Sequence, residues 1–173
     1  MTEGQSPCHL FGQNNMKLRR IEEKDNPILA RIIRTNLKAN ELDIPGTAYF
    51  DKHLDRLSDY YLADERRFYY IATDEEDRII GGIGLAELGF FDSCAELQKL
   101  YLADPAKGAG LGYRLIAAIE DKARELGYQR IYLETHSNLA AAIHIYEKSG
   151  YREIEKPAGV VHSAMDRFFI KNL

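Results

Sequence analysis

The sequence predicts an α/β fold of the α+β kind, with elements in the order β-α-α-β-β-β-α-β-α-β-β. Three observations carry that prediction. Apolar runs of strand length are interspersed with apolar stripes of helical period. The strand-like run Ala95 to Leu102 leads into a loop with glycines at 108, 110 and 112. An amphipathic helix begins where that loop ends.

Residues 1–15 are polar, contain Gly4, Pro7, Gly12 and Asn14-Asn15, and read as a flexible N-terminal arm before one domain over 16–173. A short strand covers Met16 to Ile21. In Asp25-Asn26-Pro27 a capping side chain precedes a proline suited to a first helical turn. Ile28, Leu29, Ile32, Ile33 and Leu37 continue at helical spacing. Asn40 to Thr47, with Pro45-Gly46, is a loop. Phe50, Leu54, Leu57 and Tyr61 then form the stripe of a second helix. Strands at Phe68–Thr73 and Ile79–Leu88 flank the acidic turn Asp74 to Asp77. A third follows at Ala95–Leu102. The helix from Gly110 carries Leu111, Leu115, Ile116, Ile119, Ala123 and Leu126, and Gly127 ends it. A strand at Ile131–Glu134, a helix at Asn138–Ser149 stopped by Gly150, and strands at Tyr151–Ile154 and Ser163–Ile170 complete the order.

Composition narrows the function. The 173 residues are 45% hydrophobic and 29% charged, the balance of a globular domain. A net charge of −4 without a basic run argues against nucleic acid as the main partner. No apolar stretch approaches the roughly 20 residues of a membrane helix, so no membrane role is expected. No charged-then-apolar leader opens the chain, and Cys8 and Cys94 make neither a disulfide framework nor a metal spacing. A cytoplasmic protein with reduced thiols is the expectation. His136 and His144 lack a partner at ligand spacing, so no metal is expected either.

The glycine loop is the feature that speaks of chemistry. It aims bare backbone N–H groups and a helix N-terminus at one point, an arrangement that suits an anion. A P-loop would require Lys-Ser/Thr after the glycines, whereas Tyr113 and Arg114 follow Gly112. A dinucleotide fingerprint needs a different third spacing, although Glu134 loosely matches its acidic residue. A third reading covers more of the chain. Lys107, Gly110 and Gly112 fall on the pattern Arg/Gln-x-x-Gly-x-Gly/Ala, with lysine in place of the usual first residue. Asn138, Ala141, Ala142 and Ile145-Tyr146-Glu147-Lys148-Ser149-Gly150-Tyr151 follow. Together these resemble the two signatures of the GNAT superfamily of N-acetyltransferases over roughly residues 16 to 170.

The resemblance implies a mixed, mostly antiparallel sheet of about seven strands flanked by four helices. Two neighbouring strands should splay to admit the pantetheine arm of acetyl-CoA. It implies cofactor contacts at Leu100, Tyr101 and Leu102, along Lys107, Gly108, Ala109, Gly110, Leu111, Gly112 and Tyr113, and at Asn138, Ala141, Tyr146 and Lys148. Asn138 is also a natural helix cap, and Lys148 an ordinary solvated lysine. Tyr146 is implied as the acid that returns a proton to the leaving thiolate, a task a phenol with pKa near 10 can perform. A backbone N–H near the end of the preceding strand, with Leu102 the first choice, is implied as the oxyanion donor.

The general base comes from strand alternation, which puts Glu96, Gln98 and Leu100 on one face. Glu96 is the first candidate and Glu87 its rival. For the acceptor the candidates are Tyr49, Glu87 and His162, with Glu41, Asp43 and Asp51 in a region that would suit a cationic amine. The function expected is acetyl transfer from acetyl-CoA to an amine, on a small molecule or a protein, by direct attack in a ternary complex. A non-catalytic acyl-CoA-sensing module and a nucleotide-binding protein stand as alternatives. Quaternary state is not legible in the residues. Dimerisation is frequent in the family, which leaves a homodimer open.

Overall fold

A computed structural model describes residues 15–160 and 163–173 of the chain. One sheet of seven strands runs β1-β2-β3-β4-β5-β7-β6 in space. The strands are β1 (Lys17–Arg20), β2 (Phe68–Thr73), β3 (Ile79–Glu87), β4 (Cys94–Leu102), β5 (Arg130–Thr135), β6 (Arg152–Ile154) and β7 (Arg167–Asn172). Every neighbouring pair is antiparallel except β4 with β5. Four helices accompany them: α1 (Asn26–Ala39), α2 (Leu57–Leu62), α3 (Leu111–Glu125) and α4 (Ala140–Lys148).

Two buried clusters hold the layers together. On one face Leu29, Ile33 and Leu37 of α1 and Leu57 and Tyr61 of α2 meet Tyr69 and Ile71 of β2. On the other, Leu111, Leu115, Ile116 and Ile119 of α3 and Tyr146 of α4 meet Ile83, Leu97, Leu133 and Phe169. Close approach on the first face depends on β3 glycines. A Cβ on Gly84 would lie 2.6 Å from the Tyr61 hydroxyl, and one on Gly82 2.4 Å from the Tyr69 ring.

Several local expectations change. Only Leu57–Leu62 of the second helix is α-helical; short 3₁₀ turns occupy Ala48–Phe50 and Leu54–Arg56. The Asp51 carboxylate accepts from the His53 N–H at 2.8 Å, a local bond that competes with a helical turn. Phe50 is accordingly exposed at 58% and does not join the stripe. Asp25 does not cap α1 with its side chain. Its buried carboxylate takes two 2.7 Å bonds from Arg19 and a 2.8 Å bond from the Glu22 N–H. The last strand begins at Arg167; before it, the Ser163 hydroxyl donates to Glu134 and the Asp166 carboxylate accepts from the Ser137 hydroxyl.

Strand β4 also breaks the simple alternation. Gly84 pairs with Gln98 and Gly82 with Tyr101, so β4 carries one residue more than β3 in that interval. The extra residue falls at Lys99, whose φ of 49° is left-handed. Leu100 and Leu102 therefore pack on the α3 side and Tyr101 on the α1 side. Leu100 does not share a face with Glu96 and Gln98.

Candidate active site

The site begins where β4 and β5 part. They pair at three positions only: Cys94 with Arg130, Ala95 with Ile131, and Glu96 with Tyr132. Beyond these, β5 is paired with β7 alone and β4 with β3 alone. Ala103 donates its N–H to Ile80, so by alternation the Leu102 N–H and carbonyl face away from β3 and into the gap. There the carbonyl is met not by a strand but by the Asn36 amide, at 2.9 Å.

The gap opens into a cavity of about 580 Å³. Leu100 to Leu102 form one wall, Glu134 and Thr135 the opposite one, and Ala141, Ala142 and Tyr146 of α4 the floor. Lys107, Gly108, Gly110, Leu111, Gly112 and Tyr113 complete it at the start of α3. Gly108 and Gly110 adopt φ of 80° and 73°, in open space where a Cβ would meet nothing. Backbone conformation selects glycine there. Gly112 answers a different demand, since its Cβ would lie 2.9 Å from Ile145 of α4. The N–H groups of the first turn of α3 have no acceptor one turn back, so they remain available to an anion. Lys107 pairs with exposed Asp104 at 2.8 Å across the same loop.

Tyr146 is 5% exposed and lines the cavity. Among the described residues its hydroxyl has no hydrogen-bond partner. Burial and the neighbouring Tyr101 hold its pKa well above the ordinary phenol value, so it stays a proton donor. Glu96, still paired with Tyr132, is not itself part of the cavity lining; its pKa is raised, first by burial and further by Glu134, and its Oε2 accepts from the Gln98 amide at 2.9 Å. The Tyr61 hydroxyl fixes the other end of that amide, at 2.7 Å.

Other expected residues are elsewhere. Glu87 does not line the cavity: Arg67 grips its carboxylate with bonds of 2.9 and 3.1 Å and holds its pKa below the usual range. The Tyr49 ring packs edge-on against Phe50, outside the cavity wall. Asn138 is not a cap, because α4 begins at Ala140; its amide donates to the Asn40 carbonyl at 3.0 Å. Lys148 is exposed, Ala109 packs against the core, and neither lines the cavity. His162 lies outside the described residues. Three residues were missed from sequence. Lys99 and Asn36 gave no signal, and Glu134 was weighed only as a nucleotide ligand. Glu134 lines the cavity and accepts from Tyr132 and Ser163 at 3.1 and 3.0 Å.

A glycine loop before a helix, two parted parallel strands and a buried tyrosine facing them meet in one cavity. The acetyltransferase (GNAT) family profile matches residues 35–151. The chain belongs to the GNAT family of acetyltransferases. It is 34% identical over 148 residues to an uncharacterised N-acetyltransferase, YjgM, of Escherichia coli K12, covering 82% of this chain and 85% of that protein. It is 28% identical over 105 residues to the spermidine N(1)-acetyltransferase of Vibrio cholerae, covering 60% of each. Among solved structures, a GNAT-family acetyltransferase of Staphylococcus aureus Mu50 matches with a TM-score of 0.78 at 21% identity, over 91% of this chain and 98% of that one. The activity is that of the class, transfer of an acetyl group from acetyl-CoA to an amine. The cavity fits that cosubstrate, with free N–H donors at the α3 end and an unpaired β4 edge for an extended arm.

Proposed function

We propose that this chain acetylates the amine of a discrete acceptor by direct attack in a ternary complex, with Tyr146, Leu102 and Glu96 as the working groups. Acetyl-CoA, when bound, supplies an activated thioester. Glu96 takes the proton that makes the acceptor amine nucleophilic. The Leu102 N–H stabilises the oxygen that gains charge as the amine adds. Tyr146 gives its proton to the departing sulfur and so opposes reversal, and the proton shed by the new amide nitrogen restores the phenol. Gly108 to Tyr113 hold the pyrophosphate with main-chain donors. The reading takes residues 16–173 as one working unit in the cytoplasm, where the buried, unpaired Cys94 would remain a thiol.

The observation that supports this most is the unpartnered Tyr146 hydroxyl in the cavity that the parted strands open. A sensor that only bound the cofactor would have no use for a buried phenol held in its protonated form. The test joins calorimetry with a thiol-release assay. Micromolar one-site binding of acetyl-CoA, with none of ATP or NAD, is expected, together with amine-dependent release of CoA. Binding without release from a broad amine panel would favour the sensing module. A folded sample that binds no acetyl-CoA would overturn the reading.

A further inference from the structure

Lys99 is a charge in the cavity lining that the reaction above does not use. It lies in the β4 bulge with a left-handed φ of 49°, and it is one of the residues that line the cavity. A non-glycine residue in that conformation is strained, so something must hold it there. Part of the answer is the Tyr69 hydroxyl, which donates to the Lys99 carbonyl at 2.8 Å.

Its ammonium has no such partner. Among the described residues Lys99 makes no ion pair and no side-chain hydrogen bond. Every other lysine or arginine of intermediate exposure has at least one, as Arg19 has with Asp25, Arg67 with Glu87 and Lys171 with Glu120. An ammonium drawn out of water with no counter-ion is unfavourable. Burial lowers the Lys99 pKa accordingly, and Asp51 and Glu96 oppose that from a distance.

The neighbours say which ligand completes it. Asp51 belongs to the segment whose Ala48, Tyr49 and Leu54 pack with α1 and α2. Glu96 shares its face with Gln98, which Tyr61 of α2 holds. Both stand on the side of the sheet away from α3 and its glycine loop. Lys99 therefore serves the acceptor rather than the pyrophosphate. On the acceptor side Lys99 is a half-buried cation without a partner among the described residues, and carboxylates lie near it. A ligand that matches carries a carboxylate and an amine together.

Resting on the acetyl-transfer reading above, we propose that the acceptor is an amino acid, its carboxylate held by the Lys99 ammonium and its amine turned toward Glu96. A polyamine would leave Lys99 unpaired and bring a second positive charge toward it.

Thiol release at saturating acetyl-CoA tests this with matched pairs. Each common amino acid is compared with the amine that lacks only its carboxylate, such as phenylalanine with phenethylamine and lysine with 1,5-diaminopentane, and spermidine is added. In the best pair the amino acid should have at least about tenfold the kcat/KM of its amine, a difference of about 1.4 kcal/mol. Lys99→Met should bring that ratio near one, mainly through KM for the amino acid, and Lys99→Arg should keep part of it. Equal or better turnover of the decarboxylated amines or spermidine overturns the proposal, as does a folded K99M with the ratio intact. If K99M does not fold, the wild-type ratio decides. Turnover of amines without a carboxylate preference removes this inference alone, whereas no turnover of any amine removes the acetyl-transfer reading with it.

Discussion

The Asn36 side chain on α1 donates to the Leu102 carbonyl on β4 at 2.9 Å, and to the Ile32 carbonyl of its own helix at 2.9 Å. A helix on one face of the sheet thus pins the strand end whose N–H is the expected oxyanion donor. The amide is 7% exposed, so water does not easily replace it.

Asn36→Leu should lower stability by about 1–3 kcal/mol, the cost of an unsatisfied buried polar group. It should lower kcat more than it raises KM for acetyl-CoA, because the strand end stays present but loses its fixed position. Thermal melts beside steady-state kinetics check both. A lost melting temperature with kcat intact would leave Asn36 as a structural residue only.

Gly84→Ala carries a second prediction. The added Cβ would stand 2.6 Å from the Tyr61 hydroxyl and 2.7 Å from the Tyr69 ring, both fully buried. Overpacking of this kind costs about 1–3 kcal/mol. Displacing Tyr61 also frees Gln98, and with it the Glu96 carboxylate. Chemical denaturation should show the stability loss. The acid limb of the rate profile should shift in the same variant, whereas Gly110→Ala should leave it in place.

These residues mark the boundary of what the sequence made legible. The helical stripes of α1 and α3 and the strand-loop-helix unit around Gly110 were readable because periodicity and glycine placement are local signals. The bulge at Lys99 was not, since nothing in Leu97 to Tyr101 announces that β3 offers one residue fewer in that interval. That single insertion moved Leu100 to the opposite face from Glu96. Glu87 was misread for a related reason, its partner Arg67 being 20 positions away and joined only by the pairing of β2 with β3. Asn138 looked like a cap because Asn is a good one, yet tertiary contact with Asn40 took its amide instead.

The buried Glu96 carboxylate makes a prediction with opposite signs for stability and rate. Burial raises its folded pKa above the ordinary 4.5. A raised folded pKa means the group's favourable contribution is complete below the unfolded value and is lost as pH rises through the folded one. Glu96→Gln should therefore be more stable than the natural chain near pH 7, and the gap should close below about pH 4. Activity should move the other way, falling about 10²-fold at neutral pH as the base is lost. The acid limb of kcat/KM should vanish with it. Melting curves and rate profiles across pH 4 to 8 check the pair of effects, and an unchanged acid limb would move the base to Glu134.

Tyr146→Phe isolates the leaving-group proton. The phenol is buried beside Tyr101, and both effects hold its pKa above the ordinary value of 10. It therefore stays protonated throughout the working range, and no alkaline limb near neutrality should arise from it. The phenylalanine keeps the ring contacts with Tyr151 and Phe169, whose centroids lie 6.1 and 6.3 Å away. Stability and the affinity for acetyl-CoA should change little, while kcat should fall by about 10²-fold or more. Calorimetry beside thiol release separates the two quantities. A thioester whose thiol has a lower pKa needs less help in leaving, so it should recover part of the lost rate in Y146F. Equal losses for both thioesters would assign Tyr146 to packing and require another proton donor in the cavity.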